Sequence, residues 1–447
     1  MQSCFLFSLA QVFTPGERKK RNQTQAPSGA FGGKKSLLKE ASTNSYSLLL
    51  PSGVNAWARE TKPAMTVAEQ KITGRPTWAE IDLDALAHNF HLIRDRVGKE
   101  VKILAAVKAD AYGHGAVECA RRLAAEGVDW FGVATPEEGI ELRAAGNTKP
   151  ILCLGGFWKG QESACLEQRL TPVVYRLDMI EAFDRAAKGA GVVADVHVKI
   201  DTGMGRLGIR SDEVSEFLEA LKKFENIRVD GVMTHLAAAD DPAHEVFTHK
   251  QLKNFQVAMK ALREHGFSPT YVHAANSAAT FSYPEARGDI VRPGGTLYGF
   301  TRDVLSPQIE APSFLPVMAL YSRIMLLKQV SKGESLGYGC TFQTNRDSLI
   351  ATIPIGYADG YRRALSNLGR MIVRRKFAPV VGRVSMDLTL IDVTDLPEVQ
   401  LNDLVILLGR DGQVSITAEE VAKTIGSLSY EITCGISSRV PRIYSHL

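Results

Sequence analysis

From residue 100 onward, short apolar runs alternate with amphipathic stretches. "VKILAAVKA" leads into "AVECARRLAAEG", "VDWFGVAT" into "PEEGIELRAAG", and "KPILCLGGF" into a polar stretch. "TPVVY" precedes "LDMIEAFDRAAKGAG", "ADVHVKID" precedes "SDEVSEFLEALKKF", and "IRVDGVMTHL" precedes the long "EVFTHKQLKNFQVAMKALREHG". "PTYVHAANS" and "DIVRPGG" complete eight strand-like runs. Such alternation predicts a parallel sheet. Eight units in about 200 residues match a closed (β/α)8 TIM barrel. An open doubly wound sheet is the rival, but no G-x-G-x-x-G follows the first strand. From about residue 315 the pattern changes to strand-like runs with short Gly- or Asp-containing turns, including "ALYSRIMLLKQV", "SLIATIPIG" and "DLVILLG". These predict a mainly-β domain. Its one clear helix signal is "TAEEVAKTIGS", with Thr417 as cap and Glu420 three residues on. The expected organisation is an α/β barrel over 75–312 and a C-terminal β domain over 313–447. Residues 1–74 read as a disordered or mis-started extension, with Met65 as a possible internal start.

The 447 residues allow two or three domains. Residues 1–65 carry nine Lys/Arg against three Asp/Glu, and the remainder 44 against 46. The folded part is therefore near neutral, without a basic footprint for nucleic acid. The apolar "CFLFSLAQVF" precedes its basic residues, the reverse of a secretory signal. No apolar run approaches the length of a membrane-spanning helix. Six scattered cysteines, none in a C-x-x-C pair, suggest neither a zinc site nor a disulfide framework. Reduced thiols in a cytoplasmic protein are the expectation.

In a barrel of this kind the chemistry sits at the carboxyl ends of the strands. The chemically distinctive residues fall there. Lys108 ends the first run; Lys199 and Asp201 end the fifth, followed by "TGMGRLG" with Arg206. His235 ends the sixth, Asn276 and Ser277 the seventh, and Arg292, Gly294 and Gly295 the eighth. A strand-end lysine can snorkel to solvent. A desolvated one titrates low and becomes a nucleophile, and five such coincidences on one rim favour that reading. A Schiff-base lysine needs a carbonyl partner. Ser277 at a helix start and the Gly294–Gly295 pair offer N–H groups to an anion. Pyridoxal 5'-phosphate (PLP) meets both needs, with an aldehyde at one end and a phosphate at the other. Taken alone, the glycine pair reads better as a simple tight turn.

The ordered set "AVKADAYGHG", "KIDTGMGRLG", "HAANSAA", "VRPGGTLYG", "LGYGCTF", "IPIGYADGYRR", "GRVSMDLTLIDV" and "SSRVPRIY" resembles the motifs of the alanine racemases, fold-type III PLP enzymes. The resemblance runs from about Thr77 to the C-terminus and covers both domains. It implies a homodimer with shared active sites that interconverts L- and D-alanine for peptidoglycan. By the resemblance, Lys108 holds PLP and is the base on one face of the substrate Cα. Tyr338, from the partner subunit, acts on the other face. His235 would hydrogen-bond Tyr338 and Arg292, and Arg292 would face the pyridine nitrogen. Tyr112 and Ser277 would bind phosphate with the N–H groups of Gly294 and Gly295. Arg206 would contact the cofactor's ring oxygen and the substrate carboxylate, which also receives the Met386 N–H. Asp387 and Asn276 fall on family site positions. Tyr357 and Arg363 would line the access corridor, and Lys199 matches a position that is often carbamylated.

This sequence departs from the family at three places. A bulky apolar residue often stands where Gly295 does, a tyrosine where Ser438 does, and a cysteine where Ser385 does. A looser phosphate cup or a roomier gate is the expectation, with Ser438 counted near the phosphate. Three other functions compete. One is a serine or broad-specificity racemase of the same fold. The second, a decarboxylase of the same barrel, would need a "GPxC" pattern that is absent. The last is a non-catalytic PLP carrier, but carriers are bare barrels without a β domain.

Overall fold

The computed structural model describes residues 74–396 and 398–445. The expected extension and Met65 lie outside the described residues, apart from Gly74. Strand β1 (Thr77–Asp82) ends at Asp82, whose carboxylate accepts the Ala85 N–H and caps helix α1 (Leu83–Val97). The barrel follows as β2 (Lys102–Ala106), α2 (Ala116–Ala125), β3 (Trp130–Val133), α3 (Pro136–Ala144), β4 (Ile151–Cys153), α4 (Glu162–Glu167), β5 (Leu170–Val174), α5 (Leu177–Ala190) and β6 (Ala194–Asp201). It continues through α6 (Val214–Leu221), β7 (Ile227–Met233), α7 (Glu245–Glu264), β8 (Tyr271–His273), α8 (Ser277–Ser282) and β9 (Ile290–Val291).

Strands β2 to β8 pair in parallel in chain order, and β9 returns to pair with β2. At the β8–β9 seam only single bonds bridge the backbones, Asp289 N–H to Val272 O at 2.8 Å and Arg292 N–H to Ala275 O at 3.0 Å. The runs read as continuously apolar because both faces of each strand are covered. Leu104, Trp130, Leu152, Val173, Met233 and Ile290 fill the barrel interior. Their sequence neighbours Ile103, Phe131, Ile151 and Val174 join the core that includes the helices.

The second domain has β10 (Met318–Arg323), β11 (Leu326–Val330), β12 (Ser348–Ile353), β13 (Arg370–Val373), β14 (Lys376–Pro379), β15 (Thr389–Asp392) and β16 (Leu404–Asp411). It closes with α9 (Ala418–Ile425), α10 (Ser429–Cys434) and β17 (Arg442–Ser445). Its larger sheet runs β14-β13-β16-β10-β1-β17, so β1 lies in the C-terminal sheet although the expected boundary counts it with the barrel. β1 pairs antiparallel with β10 and parallel with β17. Its alternating "TWAEID" suits any half-covered sheet, and the pattern carries no information about which sheet. Thr417 caps α9 as expected, accepting the Glu420 N–H. Helix α10, only six residues long, gave no sequence signal. Carboxylates bind the domains together: Glu419 accepts the N–H groups of Thr301 and Arg302, and Asp303 accepts the Ser429 N–H and hydroxyl.

Several imidazoles are buried without a carboxylate. The His114 Nδ1–H donates to the carbonyls of Ala111 and Tyr112, and its Nε2 has no partner. His197 lies inside the barrel against Trp130, with ring centroids 5.5 Å apart. Burial lowers His114 to about 4 and His197 to about 3. The unfolded chain therefore binds more protons than the folded one below the ordinary histidine value. Stability is complete above about pH 6.5 and is lost as pH falls toward 4. The unfolding midpoint, followed by calorimetry, should drop steeply over that interval, and His197→Gln should flatten the drop. A midpoint independent of pH there would show that these rings are already charged when folded.

Candidate active site at the mouth of the barrel

Lys108 follows β2 by one residue, and the chain beyond it is unusual. Ala109, Asp110, Ala111 and Tyr112 have φ of 53°, 53°, 52° and 56°, one turn of left-handed helix without a glycine. Left-handed backbone costs non-glycine residues roughly 1–2 kcal/mol each. Local bonds hold it, among them Ala111 N–H to Val107 O and Gly115 N–H to Asp110 O, each 2.9 Å. The Asp110 carboxylate also takes the Ala116 N–H at 2.7 Å. Lys108 is half-buried, and desolvation, then Arg206, pulls its ammonium below the ordinary lysine value. Glu138 and Cys434 act weakly in the opposite sense.

The turn brings Tyr112 beneath the glycine pair. A Cβ on Gly294 would lie 2.5 Å from the Tyr112 hydroxyl, and one on Gly295 would lie 2.5 Å from that of Tyr430. The two phenol rings pack with centroids 5.5 Å apart. Neither hydroxyl has a hydrogen-bond partner among the described residues. Ser277 Oγ accepts the Gly294 N–H at 2.9 Å, and the Thr296 hydroxyl lies 3.2 Å from it. Asn276 caps α8 through Ala279 N–H and so sets the position of Ser277. Two free phenols, a serine and two side-chain-free residues make a donor cup suited to a phosphate. The expected looseness at Gly295 is not found, because Tyr430 and Val304 fill the space. Tyr430, on a helix too short to be read from the sequence, went unnoticed there. Ser438 does not reach the cup. It is exposed and lines, with Ala109, Asp110 and Cys434, a cavity of about 310 Å³. The tyrosine of this region that meets the glycines is the one on α10.

Arg292 is buried, and its guanidinium donates to Thr234 O at 2.7 Å, Ala274 O at 3.0 Å and His273 Nδ1 at 2.9 Å. Arginine can only donate, so the His273 proton sits on Nε2, which donates to His197 Nδ1 at 2.9 Å. One contact therefore fixes two tautomers. Burial lowers Arg292 to about 9, which leaves it cationic at neutral pH. His235 is half-buried and held neutral by desolvation and by Arg292, Lys199 and Arg206, in that order. Within the chain it bonds neither Arg292 nor Tyr338. The guanidinium's acceptors are already the two carbonyls and His273, an imidazole that the sequence reading passed over. Lys199 is buried, and desolvation, Arg292 and Arg206 lower it to about 8. Arg206 is exposed on a glycine-rich loop whose turn is tied by Asp201 to the N–H groups of Gly203 and Gly205.

The other expected residues lie on the β domain. Tyr338 is 73% exposed and its hydroxyl has no hydrogen-bond partner among the described residues. Its loop abuts the strand-end segment 382–387, since a Cβ on Gly337 would lie 3.2 Å from Arg383 N. Tyr357 N–H donates to Ser385 O and Ala358 N–H to Met386 O, each at 3.0 Å. The Arg363 carbonyl receives the Ser366 hydroxyl, which accepts the Val384 N–H. Asp387 pairs with Arg439, which also reaches the buried Asp359. Tyr338, Tyr357, Arg363, Met386 and Asp387 thus share one exposed surface of three interlocked loops. Lys108, Lys199, Arg206, His235 and Arg292 are linked electrostatically at the mouth.

Comparison with known proteins gives a consistent result. Residues 81–302 match the alanine racemase N-terminal domain, and residues 317–444 the alanine racemase C-terminal domain. The alanine racemase of Halothermothrix orenii is 42% identical over 374 residues, 83% of this chain and 97% of the relative. That of Geobacter sulfurreducens is 45% identical over the same length and shares. Among solved structures, the alanine racemase of Clostridium difficile 630 superposes with a TM-score of 0.78 at 40% identity, covering 84% of this chain and 97% of that one. The Bacillus anthracis alanine racemase with bound L-Ala-P gives 0.78 at 36% identity, covering 84% and 96%. With the barrel, the strand-rich second domain and the cup-and-lysine mouth in place, this chain belongs to the alanine racemase family of PLP-dependent isomerases.

Proposed function

We propose that this enzyme racemises alanine with two bases, Lys108 on one face of Cα and the partner subunit's Tyr338 on the other. The reading carries with it a cytoplasmic homodimer that supplies D-alanine for peptidoglycan. One observation carries it: Lys108 sits desolvated beside a phosphate-type cup, while Tyr338 of the same chain faces solvent with Tyr357 and Met386. A catalytic phenol left in water is of use only to a second subunit's site.

Bound PLP draws electrons from the amino acid it carries and so acidifies the Cα proton. The chain's own groups do the rest. Tyr112, Tyr430, Ser277 and the N–H groups of the glycine pair would hold the phosphate. Lys108 would hold the cofactor's carbonyl end until the substrate's amino group takes its place, and the freed amine, with its lowered proton affinity, would then take or return a proton at Cα. Arg206 and, on the surface that carries Tyr338, the Met386 N–H of the partner subunit would meet the substrate carboxylate, with the partner's Asp387 beside them. Arg292 stays cationic and cannot accept a proton. It therefore keeps the pyridine nitrogen unprotonated, limits delocalisation, and favours return of the proton to Cα over transfer elsewhere. Tyr357 and Arg363 border the access corridor. The filled space at Gly295 leaves Ser385 as the departure that bears on substrate range. Purified enzyme incubated with L-alanine and then with serine and a wider panel, with D-isomers assayed, tests the activity and separates it from a broad-specificity racemase.

The shared site is tested with two inactive variants, Lys108→Ala and Tyr338→Phe. Random reassortment makes about half of the dimers mixed, each with one intact site of two, so co-refolding should restore roughly a quarter of wild-type activity. Background activity despite demonstrated subunit exchange would place both bases in one chain.

Lys199 lies near two guanidinium groups, and its value of about 8 leaves roughly a tenth of it neutral near pH 7, far more than an ordinary lysine has. A neutral amine adds carbon dioxide and loses a proton, becoming an anionic carbamate. That change would neutralise the crowding by Arg206 and Arg292. Native mass spectrometry should find one added carbon dioxide, lost on acidification and absent in Lys199→Ala. A bare amine at neutral pH, with chloride in its place in a crystal, would reject the carbamate.

A further inference from the structure

The left-handed turn after Lys108 has an external support that belongs to none of the roles above. Glu138, in the first turn of α3, places one carboxylate oxygen 2.7 Å from the Ala109 N–H and the other 2.6 Å from the Ala134 N–H. Ala109 is the first left-handed residue after Lys108, and Ala134 follows β3. One side chain therefore spans the carboxyl ends of two adjacent strands at the point where the backbone becomes strained. Both oxygens accept from backbone donors, and the carboxylate has no ion-pair partner among the described residues.

We propose that Glu138 is a positioning residue: its two-pronged hold on Ala109 and Ala134 keeps the turn left-handed and thereby sets Lys108 and Tyr112 relative to the cup. An amide cannot replace it, because a glutamine offers one accepting oxygen and a donor where a second acceptor is needed. An aspartate lacks the methylene that spans both N–H groups. The inference rests on Lys108 being the base, since misplacing that amine is what would slow the reaction. Displacements of the order of 1 Å at a reacting group cost about 100-fold in rate.

The test uses the holoenzyme for kinetics and the whole chain, with and without PLP, for hydrogen exchange. Glu138→Gln should lower kcat roughly 10- to 100-fold with KM little changed. In the same variant, exchange of the peptide covering Val107 to Gly113 should accelerate, while other barrel strands keep their protection. Combining Glu138→Ala with Ala109→Gly should recover much of the lost activity, because glycine adopts the left-handed conformation without the steric cost. Unchanged exchange in Glu138→Gln would overturn the clamp even if its pH profile moved, since that would leave only an effect of charge on Lys108. Protection lost evenly across the barrel, without rescue by glycine, would overturn it in favour of plain destabilisation. Failure of the underlying reading would look different: Lys108→Ala would keep racemising while exchange in Glu138→Gln still accelerated.

Discussion

Unbalanced positive charge organises the mouth of this barrel. Lys199 lies within electrostatic reach of Lys108, Arg206 and Arg292, and Lys108 within reach of Arg206. Among the described residues, only two carboxylates act on Lys108 and Lys199, Glu138 and Asp201. Both also tie down backbone, Glu138 at Ala109 and Ala134 and Asp201 at Gly203 and Gly205, and their two negative charges leave the four cations in surplus. The cations are thus left to be answered by what binds. A phosphate in the cup, a substrate carboxylate at Arg206 and a carbamate on Lys199 would each supply the missing negative charge. Fixed positive charge in a partly dry site is favourable toward an anion because its orientation is already established on folding. Desolvation first, and this crowding second, keep the two lysines less basic than usual.

The imidazoles inside and above the barrel obey the same constraint. A protonated histidine beside Arg292 would add to the surplus, and burial makes it worse. His273 therefore serves as an acceptor to the guanidinium and passes its own N–H to His197. The far nitrogen of His197 ends among aromatic rings with no partner. A buried N–H left unpaired costs stability, and here it accompanies a chain that holds Arg292 rigid without lending it a negative charge. An aspartate in the place of His273 would anchor the arginine more strongly. It would also cancel the charge that, on the reading advanced above, lets Arg292 keep a proton off the pyridine nitrogen.

Much of this was legible in the sequence. The barrel was legible because eight apolar runs end in polar or glycine residues, and side chains at strand ends can reach only one rim. Lys108, Arg292 and the Gly294–Gly295 pair stand out because their types are costly or unusual in a buried run. What escaped notice has a common cause. His197 and His273 sit inside their strands, where histidine looks like any buried polar residue, and their pairing depends on a barrel radius that no local pattern encodes. Tyr430 lies on a six-residue helix, too short to show a periodicity. "KADAY" contains no glycine, so nothing in it announces left-handed backbone; Glu138, whose carboxylate takes the Ala109 N–H, lies 29 residues away along the chain. β1 falls within the expected barrel bounds of 75–312 although it is none of the eight apolar runs, and only its partners β10 and β17 reveal the other sheet.

The second domain acts in two directions. Toward its own barrel it is locked. Glu419 and Asp303 tie α9 and α10 to the loop after β9, and the Arg442 guanidinium grips the Gly113 carbonyl at the end of the left-handed turn. Those contacts bring Tyr430 against Gly295, so the phosphate cup is completed within one chain. Away from its barrel the domain presents Tyr338, Tyr357 and Met386 to solvent on loops that brace one another. A rigid body that finishes one site on its inner side and offers a phenol on its outer side makes cofactor binding a property of the chain. On the reading advanced above, proton transfer is a property of the pair. The two could then be separated experimentally, since weakening the outer loops should leave the cup intact while removing one of the two bases.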